Sequence, residues 1–156
     1  MTDREELSWD QFGAATRQLA SAVVDDGFAP DLILAVARGG LFVAGALGYA
    51  LEVKKVHMMN VEYYTGVDQR LDAPVLLPPL PDVADLGGAR MLIADDVADT
   101  GATLRFVRDF CAEHVAEVRC AVVYQKPQSE IDCEYVWRRT DLWIEFPWTG
   151  LQPAQS

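Results

Sequence analysis

Met91-Leu92-Ile93-Ala94-Asp95-Asp96-Val97-Ala98-Asp99-Thr100-Gly101-Ala102-Thr103 is the stretch on which the reading of this chain turns. Met91 to Ala94 is a short apolar run, the pattern of a strand buried on both faces. From about Ala102 to His114, Leu104, Val107 and Cys111 recur at helical spacing, so the chain passes from strand through an acidic loop into a helix. In an open α/β sheet that junction is where ligands bind. Two adjacent carboxylates on extended backbone face opposite ways, so only one of Asp95 and Asp96 points easily into a site. Asp99 opens a turn whose Thr100, Gly101 and Thr103 stand at the helix N-terminus. There the free N–H groups and the helix dipole favour a phosphate, and threonine hydroxyls add donors. Acids followed by such a cradle suit a ligand with a polyol and a phosphate, such as a phosphosugar. The acids take its hydroxyls directly or through a hydrated Mg²⁺. The plainer reading is a helix capped by Asp99 with Asp95 and Asp96 merely solvated. It loses, because the six specified positions coincide by chance only on the order of once in 10⁵ to 10⁶ such chains.

Outward from this stretch the pattern alternates. Ser8-Trp9-Asp10-Gln11 reads as a capping box, followed by Phe12, Ala15, Leu19, Ala22 and Val23 at helical spacing until Asp25-Asp26-Gly27. Leu32 to Val36 is a second buried-strand run, ending in Ala37-Arg38-Gly39-Gly40, with an apolar helix expected over Leu41 to Leu51. Paired glycines let backbone amides approach a ligand, and a guanidinium beside them suits phosphate or pyrophosphate. A strand-to-helix turn with a surface arginine fits that short motif equally well. Further strands are expected at Val56 to Tyr64, Val118 to Tyr124 and Glu134 to Trp137, with Leu142 to Trp148 closing the chain. Thr65 to Gly88 is a long excursion holding four of the eight prolines and one apolar piece, Val75-Leu76-Leu77. Such excursions are often lids or binding loops. The alternation implies one α/β domain with an open, mostly parallel sheet and helices on both faces.

Composition narrows the function classes. The 156 residues carry 13 basic and 24 acidic side chains, a net charge of −11, which weighs against a nucleic-acid binder relying on a basic face. Apolar residues at 51% support one filled core. No run approaches the length of a membrane span, and Met1 to Glu6 is polar rather than signal-like. Three cysteines without a CxxC pair argue against a disulfide framework or zinc cluster and favour a reducing cytoplasm. With only His57 and His114, a multi-histidine metal site is improbable.

Leu92 to Leu104 closely resembles the phosphoribosyl-pyrophosphate (PRPP) motif of the type I phosphoribosyltransferases. The resemblance extends over nearly the whole chain. AVARGGL, VEYYTG, Tyr124-Gln125-Lys126-Pro127 and Trp143-Ile144-Glu145-Phe146-Pro147-Trp148 look like the xanthine–guanine branch and its compact purine relatives. It implies one domain over 1–156, with a core at about 8–64 and 88–126, a mobile loop or lid at about 64–88 and a small hood at about 127–150. Thr100, Gly101, Ala102 and Thr103 would cradle the 5′-phosphate, and Asp95 and Asp96 the ribose hydroxyls, with Mg²⁺ held directly or through water. Arg38 and Gly39 would bind pyrophosphate, in a turn that commonly carries a cis peptide, here between Ala37 and Arg38. Asp99 would stand near N7 of a 6-oxopurine as catalytic proton acceptor or electrostatic partner. Lys126 would donate to the 6-oxo oxygen, Trp143 would stack on the base, and the backbone at Ile144 would read the 2-substituent. The surface or core reading stands beside each, and is preferred for Trp148. Tyr63, Tyr64 and Arg70 are the lid candidates. The lid entry Glu62-Tyr63-Tyr64 departs from the branch's usual serine-tyrosine pair, and the excursion has no lysine, which makes Arg70 the best candidate to shield the reaction. The implied activity is Mg²⁺-dependent phosphoribosyl transfer from PRPP to xanthine, guanine or hypoxanthine in purine salvage, by a cytoplasmic homodimer or homotetramer. A PRPP- or nucleotide-sensing regulator that kept the fold and lost catalysis is the alternative. A phosphoacceptor receiver domain is rejected, because too little chain follows Asp95-Asp96.

Overall fold

The apolar runs around Leu34 and Ile93 lie side by side at the centre of a six-stranded sheet. The computed structural model describes residues 3–62, 65–66, 69–70, 75–77, 86–150 and 154. In chain order the elements are β1 (Arg4–Glu6), α1 (Trp9–Asp25), β2 (Leu32–Ala37), α2 (Gly39–Ala50), β3 (Val56–Glu62), β4 (Thr65–Gly66), β5 (Gln69–Arg70), β6 (Val75–Leu77), β7 (Arg90–Ala98), α3 (Ala102–Ala112), β8 (Glu117–Gln125), β9 (Tyr135–Arg139) and β10 (Trp143–Glu145). The main sheet runs β6-β3-β2-β7-β8-β9. Its five longer strands are parallel, and β6 lies antiparallel on β3. Within the excursion β4 and β5 form a two-residue antiparallel pair.

Helices cover both faces because the connections leave β2 and β7 in opposite directions, and a right-handed crossover then lands on opposite sides. The α1 start is the expected capping box, with Ser8 Oγ accepting from Gln11 N and Ser8 N donating to Gln11 Oε1. One core gathers Phe12, Leu19 and Val23 of α1 and Val43 and Leu47 of α2 against Ile33, Ala35, Leu92 and Ala94. The other gathers Leu104, Val107 and Cys111 of α3 against Leu34, Ile93, Cys120 and Val122. Alternate residues of β2 and β7 thus feed opposite cores. Each large side chain so buried is worth about 1.5–3 kcal/mol of transfer free energy.

Two features depart from the sequence reading. The glycine pair does not precede α2 but opens it, since α2 begins at Gly39. The reason is close approach: a Cβ on Gly40 would lie 2.4 Å from the Ala94 carbonyl oxygen. The N-terminus also forms a strand, β1, which pairs in parallel with β10 in a separate two-stranded sheet. Arg4–Glu145 and Arg138–Glu5 ion pairs lie beside it. Trp148 packs as preferred: its ring stacks on Phe42 and Phe146 at centroid distances of 4.3 and 5.0 Å, with Phe12 edge-on at 5.2 Å.

Candidate active site

The site is made where the sheet parts. Pairing between β2 and β7 runs from Leu32–Met91 to Ala35–Ala94. Beyond that level β2 continues to Ala37, while β7 stays with β8 through Val97–Tyr124 and Ala98–Gln125. The strand order reverses between these two strands, which is the topological switch point of an open α/β sheet. A cavity of about 270 Å³ opens there, lined by Arg38, Gly39, Asp95, Asp96, Asp99, Thr100, Gly101 and Thr103 together with strand and helix residues. A wider groove of about 760 Å³ is lined only by α1 and α2 residues, away from these strand ends.

Asp95 and Asp96 lie within β7 rather than in a loop after it, because β8 goes on pairing with the strand past Ala94. The two carboxylates are consequently poorly hydrated. Burial pushes the Asp95 carboxyl well above the ordinary range, and the neighbouring Asp96 adds to the shift. Burial raises Asp96 as well. Asp95 Oδ1 accepts from Asp96 N and Asp96 Oδ1 from Val97 N, both at 2.8 Å. Such a pair is relieved by hydroxyl donors or by a cation. Gly39 leaves room for the Asp96 carboxylate in this position, since a Cβ there would meet Asp96 Oδ2 at 2.0 Å. The Ala37–Arg38 peptide is cis, at the position implied by the resemblance.

The helix start has no N-cap side chain, and its one local side-chain contact is Thr100 Oγ1 accepting from Ala102 N at 3.3 Å. Gly101, at φ +81, is the N-cap of α3 and offers no side chain to its first amides. Asp99 is therefore not the cap of the plainer reading. Its Oδ1 instead accepts from Gln128 Nε2 at 2.7 Å. Gln128 is the residue that the sequence reading passed over; its only signal there is the turn marked by Pro127.

The remaining candidates stand apart from the cavity lining. Ala102 is the first residue of α3. Lys126 is half-buried at the end of β8, its N–H bonded to the Ala98 carbonyl at 2.9 Å. Trp143 is 66% exposed on β10, and the Ile144 side chain is buried in the α1–α2 core. Tyr63 and Tyr64 fall outside the described residues, and of Arg70 only the backbone is described, in β5.

The donor set at Asp95 and Asp96 is oxygen only, and no cluster of three or more acidic, histidine or cysteine ligands occurs among the described residues. That chemistry fits Mg²⁺, which usually takes one or two carboxylates and keeps waters and substrate oxygens as its other ligands.

The family described as "Phosphoribosyl transferase domain" matches residues 7–151. Xanthine-guanine phosphoribosyltransferase of Ruegeria sp. (strain TM1040) is 35% identical over 153 residues, covering 91% of this chain and 83% of the relative. The protein of that name from Idiomarina loihiensis is 33% identical over 145 residues, covering 91% and 84%. The crystal structure of a purine phosphoribosyltransferase from Pyrococcus horikoshii Ot3 superposes with a TM-score of 0.85 at 33% identity, covering 99% of both chains.

Proposed function

This chain belongs to the phosphoribosyl transferase family, as an enzyme of its purine group, and from that premise we propose that it transfers the 5-phosphoribosyl group of PRPP to a 6-oxopurine. The products are the nucleoside 5′-monophosphate and pyrophosphate, in purine salvage. The observation that carries this reading is one cavity bounded by the Arg38–Gly39 turn, the paired acids and the uncapped start of α3. A substrate with a pyrophosphate, a diol and a phosphate needs those three surfaces together.

In this reading Thr100 to Thr103 hold the 5′-phosphate through helix-start amides and threonine hydroxyls. Arg38 and the Gly39 amide hold the pyrophosphate and stabilise charge that grows on it as the glycosidic bond breaks. Asp95 and Asp96 accept the ribose hydroxyls and would hold Mg²⁺ directly or through water. When bound, that cation neutralises pyrophosphate charge. Asp99 faces the purine N7, accepting its proton or offsetting positive charge as the base attacks. Lys126 donates to the 6-oxo oxygen, where adenine presents a competing donor. Trp143 stacks on the base and the Ile144 backbone reads the 2-substituent, beneath a hood at 127–150. Tyr63, Tyr64 and Arg70 belong to the lid that excludes water.

Relatives bearing transferase names at 35% identity favour an enzyme over a regulator. The net charge of −11 favours small-molecule partners over nucleic acid, and three free cysteines favour the cytoplasm. No described helix is long and apolar enough to cross a membrane. The charge-free α2, with Leu41, Phe42 and Tyr49 exposed, supplies the contact of a homodimer or homotetramer. The test is Mg²⁺-dependent pyrophosphate release from PRPP with a panel of bases. Release with guanine, hypoxanthine or xanthine but not adenine is expected; release with none of the 6-oxopurines would overturn the reading.

A further inference from the structure

Resting on the role of Asp99 just given, we propose that Gln128 is a positioning residue for the transfer. It fixes the Asp99 carboxylate so that the second oxygen, Oδ2, is presented to the purine nitrogen.

The contact is the 2.7 Å bond from Gln128 Nε2 to Asp99 Oδ1, across 29 residues of sequence. What makes it more than a chance surface contact is how its donor is mounted. Pro127 and Gln128 occupy the middle of a turn closed by Ser129 N donating to the Lys126 carbonyl at 3.1 Å. Proline at the first central position presets the backbone of such a turn. The turn is then fastened on both sides of Asp99. Lys126 N donates to the Ala98 carbonyl at 2.9 Å, and Glu130 N donates to the Thr100 carbonyl at 2.7 Å. Ser129 closes the remaining gap, its Oγ 2.5 Å from where a Cβ on Gly101 would stand. The residues before and after Asp99 are thus tied by backbone bonds to the loop that carries its partner.

The chemistry follows from the side chains. Rotation of a carboxylate about its last torsion is broad, so an untethered aspartate spends little time with one oxygen aimed at a ligand atom. An amide N–H on Oδ1 restricts that rotation and leaves Oδ2 to accept. The amide is neutral, so it adds no cation to compete with Lys126 for the base. Lys126 and Gln128 share one turn, and O6 and N7 share one edge of the purine. A single rigid element therefore aligns the donor for O6 and the acceptor for N7.

The experiment is steady-state kinetics of Gln128→Glu, which keeps the shape and removes the donor, with Gln128→Ala as the milder change. Each is made alone and in an Asp99→Asn background. Gln128→Glu is expected to lower kcat about tenfold, the scale of one hydrogen bond to an ionised group, with KM for PRPP within about twofold of wild type. In the Asp99→Asn background neither change should have a further effect. A kcat equal to wild type, or the same fold loss in both backgrounds, would overturn the proposal. Unaltered protein that releases no pyrophosphate in that assay would overturn the transferase reading itself, a result distinct from an active wild type with an indifferent Gln128.

Discussion

Adding one methyl group at Gly39 or at Gly40 separates the packing of the site from its chemistry. At Gly40 the new Cβ would lie 2.4 Å from the Ala94 carbonyl oxygen and 3.2 Å from the Asp95 Cα, both backbone atoms of a central strand. Neither can move without disturbing β7, so overpacking falls in the upper part of its usual range, about 2–3 kcal/mol. Replacing a helical glycine by alanine returns about 1 kcal/mol, so overpacking wins by roughly 1–2 kcal/mol. For a chain of this size that lowers Tm by about 2–8 °C. At Gly39 the obstacle is the Asp96 carboxylate, with Oδ2 at 2.0 Å and Cγ at 2.4 Å. A side chain can rotate away, so Gly39→Ala should shift Tm by less than about 2 °C. It should instead displace Asp96 from the cavity and weaken PRPP binding about tenfold or more, the loss of one charged contact. Thermal melts with and without PRPP and Mg²⁺ read both effects. Equal Tm losses in the two variants, or a Gly39→Ala protein that binds PRPP as wild type does, would refute the reasoning.

Asp99→Asn should cut kcat about a hundredfold or more while changing KM for PRPP little; equal losses in both would mean that the carboxylate serves binding alone. Lys126→Ala should weaken use of guanine, hypoxanthine and xanthine together, and a base panel with unchanged rates would remove Lys126 from the base pocket. Burial pushes the Cys111 thiol up to about 12, so at pH 8 it is protonated and should react with a thiol reagent only on unfolding. The sign is that of an acid whose folded value is raised: stability is present below about pH 9 and declines as pH rises toward 12. Rapid labelling of Cys111 in the native protein at pH 8 would contradict this.

Much of the fold was legible because burial leaves a periodic signature. The continuous apolar runs of β2, β7 and β8 are strands covered on both faces, and the Ser8 box marks the start of α1. The misreadings have common physical causes. Asp95 and Asp96 resemble loop residues because strands seldom bury charge, yet β8 holds β7 extended through them. Arg4–Glu6 carries no apolar signal, since β1 is supported by ladder bonds and ion pairs with β10 rather than by a core. Gly39 and Gly40 read as a turn ahead of a helix from Leu41, whereas they open α2 and their missing side chains admit Asp96 and Ala94. Residues 95–103 could be placed at a strand end from sequence, and all of them but Ala102 line one cavity with Arg38 and Gly39. The Gln128–Asp99 bond could not be read in advance, because nothing in local spacing reports a contact made across two strand ends.

Calorimetric titration of PRPP into the wild-type protein, with and without Mg²⁺, bears most directly on the proposal that residues 95–103 grip that substrate. One saturable site per chain that needs Mg²⁺ and is weakened in Gly39→Ala is the expected result. No heat with Mg²⁺ present, or binding indifferent to that substitution, would contradict it.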